Sequence, residues 1–340
     1  MRDNHRYWSV VLPMPAAAMT RVIQQAEHTG LEGIWIPQLW SAPFTGLGAA
    51  AMVTERLKLG AGVALAFTRS PLETALAALD VDTISGGRAV LGIGTSIRWW
   101  NEAWHGVTYG KPIAHLREVI DVVRRVVAGA HKGDLGVIEG RYHKLDLRSF
   151  KSLAPPVRKR IPIYIPAIFE AGIALAAEVA DGIPGHPIWS ARWLHNEVRG
   201  TLETSLKKFG RNRAEFDLNV WVNAAISSNR KQAIDDARRT VAFYARFVQY
   251  EKFFAAHGFG KEARAAAEAS SRNDLDSMFK AIPDEMANTF ALAGTRDEVR
   301  ERIDDVWRSA DSITITAPTY YLEPSRIAAY QSAIAQTFYA

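Results

Sequence analysis

The chain has 340 residues, 48% of them apolar and 23% charged, a composition that excludes a disordered or fibrous protein. It contains no cysteine, which removes disulfides, thiolate metal sites, iron–sulfur clusters and a cysteine nucleophile together. Lys and Arg number 41 against 36 Asp and Glu, leaving a mild net charge of +5 whose source the composition alone does not locate.

The first apolar stretch, Trp8–Leu12, is five residues long and ends at Pro13. That is too short for a signal-peptide core, and no run approaches the roughly 20 apolar residues of a spanning helix. The expectation is a soluble, cytoplasmic protein with no membrane partner. Further runs at Leu31–Ile36, Leu57–Phe67, Arg88–Ile93, Ile161–Ile165, Phe216–Ile226 and Ser312–Ala317 read as strands, with a weaker one at Ala180–Gly185. Most are continuously apolar, as strands covered on both faces must be.

Helical stripes lie between them. Leu72, Leu76, Leu79 and Thr83 form one; Leu116, Val119, Ile120, Val123 and Val127 form another, backed by Glu118, Asp121, Arg124 and Arg125; Ile173, Ala176 and Val179 form a third. Strands each followed by a helix argue for parallel pairing, because a parallel neighbour needs a crossover. Pro13, Pro37, Pro166, Pro187 and Pro318 sit at or just past strand ends, where ladder pairing stops. The expected fold is α/β, a single (β/α)8 TIM barrel over residues 1–340, with an open doubly wound sheet as the alternative. Two segments interrupt the rhythm: an extended excursion at about 130–160 before strand five, and a charged helical insertion at about 229–309 between strands seven and eight, broken near Gly258 and Gly260.

Several motifs fail. Gly92-Ile93-Gly94 begins like a dinucleotide fingerprint but has Ile97 where the third glycine belongs, and it falls at the fourth strand. No phosphate loop, nucleophile elbow or close histidine spacing for a metal occurs. Basic residues are scattered among acidic ones, so a nucleic-acid partner is not expected. The loops after strands two and four hold the unusual residues: Gln38, Trp40 and Phe44 in the first; Arg98, Trp99, Trp100, Asn101, Glu102, Trp104 and His105 in the second. In a barrel these loops lie at the catalytic face. Clustered indoles suit a planar ring, although Trp99 and Trp104 can equally pack the loop onto the rim. Arg98 can hold an anion or close a rim salt bridge. A helical turn over Trp100–His105 would put Asn101 and His105 on one face.

Five segments carry a resemblance. Arg56–Pro71 resembles the third strand of the bacterial luciferase-like monooxygenase superfamily, and Ser85–Gly94 its fourth. Asn101-Glu102 with His105-Gly106-Val107, the run Glu178-Val179-Ala180-Asp181-Gly182, and Gly294-Thr295 with Glu298-Val299 are similar to three further signatures, all in order. The resemblance implies a (β/α)8 barrel using a flavin (FMN) or the deazaflavin coenzyme F420. The compact length and His186-Pro187 look more like the deazaflavin branch.

By that resemblance Gly62–Val63 is a non-proline cis peptide behind the ring, and the coenzyme is bound by Gly62, Val63, Thr95, Asn101, Ala167, Ile168, Phe169, Gly185 and His186. Phe169-Glu170 replaces a more usual Gly-Pro in the loop that cradles the phosphate. Gln38 stands where relatives carry a histidine or glutamate base and cannot accept a proton, which favours reduction of a substrate over oxidation of an alcohol. Glu102, His105 and His186 are the candidate proton donors. The substrate pocket is assigned to Trp40, Phe44, Arg98, Trp99 and Trp100, and the substrate is expected to be an apolar or aromatic small molecule. An FMN-dependent monooxygenase fed by a separate reductase and a non-catalytic coenzyme-binding barrel are the alternatives. The resemblance also implies a homodimer, and the net charge suits a coenzyme whose tail is anionic.

Overall fold

The computed structural model describes residues 5–39 and 41–339. Strand β1 (Tyr7–Val10) precedes helix α1 (Ala16–Glu27), β2 (Leu31–Ile36) precedes α2 (Pro43–Met52), and β3 (Lys58–Leu65) precedes α3 (Pro71–Ile84). After β4 (Ala89–Gly94) come a π-helical turn (Trp100–Trp104) and α4 (Pro112–Gly129). The excursion holds a short antiparallel ribbon, β5 (Val137–Glu139) and β6 (Lys144–Asp146). Next come β7 (Ile163–Tyr164), α5 (Glu170–Val179), β8 (Gly182–Pro184), α6 (Ala191–Trp193), α7 (Arg199–Lys208) and β9 (Asp217–Ile226). The insertion contributes α8 (Arg230–Ala245), α9 (Glu251–Ala256), α10 (Gly260–Ser271), α11 (Leu275–Lys280) and α12 (Asp284–Phe290). The chain ends with β10 (Leu292–Gly294), α13 (Arg296–Trp307), β11 (Ser312–Thr316) and α14 (Pro324–Phe338).

The strand order runs β9–β11–β1–β2–β3–β4–β7–β8, and β8 pairs back onto β9. Eight strands therefore close into a parallel barrel, which decides against the open doubly wound sheet. The sequence reading missed β10: it lies inside the segment expected to be wholly helical and extends the end of β9, with Leu292 opposite Ala224 and Gly294 opposite Ile226. Three residues are too few to carry a periodicity.

The chain divides into two compact units. Among the described residues, one comprises Trp8–Pro184 and Glu197–Asn219, the other 5–7, Gly185–Asn196 and 220–339. In the first unit the core is built by setting indoles over glycines. Trp8 and Trp35 stack at 4.5 Å and are 1% and 0% exposed. A Cβ on Gly33 would lie 2.5 Å from the Trp8 ring, and one on Gly60 2.2 Å from the Trp35 ring. Each buried indole removes roughly 200 Å² from water, a gain on the order of 5 kcal/mol that a side chain on the facing glycine would forfeit.

Polar staples fix where the strands of this unit begin. Arg88, just before β4, donates to the carbonyls of Ser85, Leu57, Thr54 and Ala51 and to the Thr54 hydroxyl. Asp181, just before β8, accepts from the Ile163 amide at 2.9 Å and from the guanidinium groups of Arg124 and Arg160. Burial alone would raise its pKa, but those partners hold the carboxyl below its ordinary value. In the second unit Phe253 and Phe254 are fully buried. There α13 opens with a capping box in which Thr295 and Glu298 satisfy one another's backbone amides.

Candidate active site

In the first unit four loops follow the C-terminal ends of β2, β3, β4 and β7, the end of a parallel barrel where side chains are free of ladder pairing. The Gly62–Val63 peptide in β3 is cis, and the β3–β4 register shifts between Ala61 and Ala64. Gly92 and Gly94 on β4 leave the room that Val63 occupies: a Cβ on either would stand 3.1 Å from a Val63 methyl.

Gln38 follows β2 with every polar end of its side chain engaged. Its carbonyl oxygen accepts from the Leu65 amide at 3.0 Å and from Arg69 Nη1 at 2.8 Å, and its amide nitrogen donates to Thr68 Oγ1 at 3.4 Å. The side chain thus ties the end of β2 to the turn after β3. Arg69 lies over the Phe44 ring, 5.4 Å from its centroid. Trp40 lies outside the described residues.

The loop after β4 turns at Ser96, whose φ of 55° is in the left-handed region. The turn over Trp100–Trp104 is π-helical, a form often found at functional sites. Asn101 and His105 do not share a face as an α-turn would have it. Asn101 is 0% exposed and donates from Nδ2 to the Thr95 and Ile97 carbonyls, both at 2.9 Å, while His105 is exposed. Asn101 therefore braces the loop from inside, with its Oδ1 buried and lacking a hydrogen-bond partner. Arg98 closes a 2.7 Å salt bridge on Glu102, the rim pairing that was one of its two expected uses. Trp99 and Trp104 stay 59% and 47% exposed. Trp104 stacks on Trp100 at 5.1 Å and meets Trp99 edge-on at 5.5 Å, an aromatic cluster open to solvent.

After β7, Ala167 is buried, Ile168 is half-buried and Phe169 is exposed. Phe169 is the N-cap of α5 and supplies no side-chain cap; Glu170 occupies the first turn. The loops are also buttressed from outside. The Tyr109 hydroxyl donates to the Ser96 carbonyl at 2.8 Å, and its ring meets Phe67 edge-on. Phe67 stacks on His115 of α4 at 3.9 Å, and His115 stacks on Tyr142 of the ribbon turn at 4.2 Å. The sequence offered no signal for this column, because its members are far apart in the chain.

In the second unit Gly185 is buried, and a Cβ there would lie 2.8 Å from the Trp189 ring. His186 accepts from the Ile188 amide at Nδ1 (3.4 Å), so its proton sits on Nε2, 3.2 Å from the Tyr250 hydroxyl. Tyr244 meets it edge-on at 5.0 Å. Burial pushes the His186 pKa down to about 3, so the ring is neutral at physiological pH and cannot act as an imidazolium donor. Tyr244 and Tyr250 were not singled out in the sequence. Among the described residues no group of three or more His, Asp or Glu could hold a metal, and no helix is long and apolar enough to cross a membrane.

A parallel barrel with its unusual residues gathered in the loops after β2, β3 and β4 is the layout of a barrel enzyme. Residues 3–311 match the family model described as luciferase-like monooxygenase, and the chain belongs to that family of oxidoreductases. The 5,10-methylenetetrahydromethanopterin reductase of Archaeoglobus fulgidus is 30% identical over 296 residues, covering 84% of each chain. A putative coenzyme F420-dependent oxidoreductase of Mycobacterium tuberculosis is 27% identical, covering 89% of this chain and 90% of its own. Among solved structures, the coenzyme F420 dependent tetrahydromethanopterin reductase from Methanopyrus kandleri superposes with a TM-score of 0.82 over 98% of each chain at 23% identity.

Proposed function

We propose that the protein is a coenzyme F420-dependent oxidoreductase that reduces an apolar or aromatic small molecule. The relatives named for F420 and for methylenetetrahydromethanopterin reduction support the coenzyme class. The observation that carries the direction is Gln38: an amide with both polar ends engaged stands where oxidation of an alcohol would need a base.

The residues present fit a flat ring with an anionic tail. Val63 and the glycines facing it leave a side-chain-poor surface at the end of β3 and β4 for a ring, and the first amides of α5 have no side-chain cap to compete with a phosphate. Gly62, Val63 and Thr95 would hold the ring, and Ala167, Ile168 and Phe169 the phosphate, with Glu170 turned outward. The coenzyme supplies the hydride. Asn101 keeps the Thr95–Ile97 turn in place, Glu102 stands as the exposed acid of the β4 loop, and Trp99, Trp100 and Trp104 give an aromatic surface for the substrate.

Titrating the purified protein with F420 and, separately, with FMN tests the reading, followed by quenching of tryptophan fluorescence. F420 is expected to bind more tightly. Tight binding of FMN alone would replace the proposal with a flavin-dependent monooxygenase, and binding of neither would end it.

A further inference from the structure

Two arginines stand in the β3 and β4 loops of the first unit, and they are used differently. Arg98 is neutralised by Glu102 at 2.7 Å. Arg69 is half-buried, yet among the described residues no carboxylate lies within ion-pair distance of it. Among the described residues its one hydrogen-bond acceptor is Gln38 Oε1 at 2.8 Å, and the Phe44 ring flanks it. Burial lowers its pKa, with only the more distant Glu73 acting against that. Among the described residues, none of its remaining N–H groups is both buried and unpartnered.

A guanidinium that has lost part of its hydration, keeps its full charge and still presents donors is matched by a carboxylate or phosphate, which accepts from the fork in a bidentate manner. The identity of residue 38 sharpens the point. A carboxylate there would orient Arg69 equally well but cancel its charge, whereas glutamine supplies the acceptor without the charge. The Leu65 amide, donating to the same oxygen at 3.0 Å, fixes the glutamine in turn.

We propose that Arg69, oriented by Gln38 beside Phe44, is an anion anchor that binds a carboxylate or phosphate carried by the small molecule the enzyme handles. This deepens the proposed function by adding an acidic group to what the site recognises. That group belongs either to the substrate or to the coenzyme tail.

The test uses the full chain without coenzyme. Benzoate and its neutral analogue benzamide are titrated by calorimetry into wild type, Arg69→Met, Arg69→Lys and Gln38→Glu. Wild type is expected to prefer benzoate by about 10- to 100-fold, the worth of one charge-assisted pair. Arg69→Met abolishes that preference, Arg69→Lys keeps part of it, and Gln38→Glu loses it with the arginine still present. Should Arg69→Met fail to fold, Gln38→Glu makes the same comparison. A second arm compares intact F420 with the deazaflavin lacking its phosphate and glutamates. Weaker binding of the intact form alone in Arg69→Met assigns the anion to the coenzyme tail. Equal affinity for benzoate and benzamide, together with coenzyme binding unchanged in Arg69→Met, overturns the anchor. The first arm needs no coenzyme, so it succeeds or fails independently of the F420 reading.

Discussion

The imidazoles of His115 on α4 and His143 in the ribbon turn meet Nε2 to Nε2 at 2.9 Å. One nitrogen donates and the other accepts, so a single proton lies between them. Glu118 faces the pair and is itself occupied by the backbone amides of Arg141, Tyr142 and His143. Burial lowers the pKa of both rings, for His115 with the neighbouring His143 adding to it and Glu118 opposing it.

The sign of the pH dependence follows. Both folded-state pKa values lie below the unfolded 6.5, so the unfolded chain takes up protons first as pH falls. The contribution of the pair is complete above about pH 6.5 and is lost progressively below it. Thermal melts from pH 7.5 downward are expected to show a falling midpoint, and His143→Gln should flatten the slope. A slope identical in wild type and variant would remove the pair from the acid sensitivity.

Asn101 holds the β4 loop by donating to two carbonyls from a fully buried position. Asn101→Ala removes the side-chain donor from both carbonyls, leaving Ile97 only the residue-101 backbone amide, and should cost about 1–3 kcal/mol in denaturant unfolding. Asn101→Asp places a charge against the same carbonyls and should cost more. Equal stability of all three proteins would mean the loop is held by something else.

Gly60 faces the Trp35 ring at a distance no Cβ tolerates. Gly60→Ala is expected to destabilise by about 1–3 kcal/mol through overpacking, since the indole is buried and has nowhere to retreat. Urea unfolding of the variant measures it directly.

Glu102 is the exposed acid of the β4 loop and its salt bridge lies in solvent. Glu102→Gln should change stability by no more than about 0.5 kcal/mol. Turnover should fall while coenzyme affinity, measured by fluorescence, stays as in wild type. Unchanged turnover would take Glu102 out of the reaction.

What could be read from the sequence divides along a physical line. Apolar runs, most of them continuous, marked the barrel strands, with Ala180–Gly185 the weaker signal, and prolines marked five of the strand ends. The segments that carried the family resemblance are mostly staples: Arg88 gathers four carbonyls before β4, Asp181 two guanidiniums before β8, and Thr295 with Glu298 caps α13. The Thr295–Glu298 cap is local, so its residue types and spacing survive in one dimension, whereas Arg88 and Asp181 showed as motif residues although their partners lie far along the chain. Strand β10 was too short to register. The identity of Gln38 was legible, but its use was not, because that depends on Leu65, Thr68 and Arg69 meeting it from another strand. The expected shared face of Asn101 and His105 failed because the turn is π-helical. Burial likewise made His186 a poor candidate for a charged donor, which its position alone could not reveal.

The Phe67–His115–Tyr142 column has a consequence for anyone transplanting parts of this barrel. The loop after β3 is not a portable cassette, since its outer support comes from α4 and from a ribbon some seventy residues downstream. A chimera that exchanges only residues 66–70 would inherit a turn whose backing belongs to the other parent. The smallest exchange that keeps the loop's surroundings intact also carries Tyr109, His115 and the 137–146 ribbon.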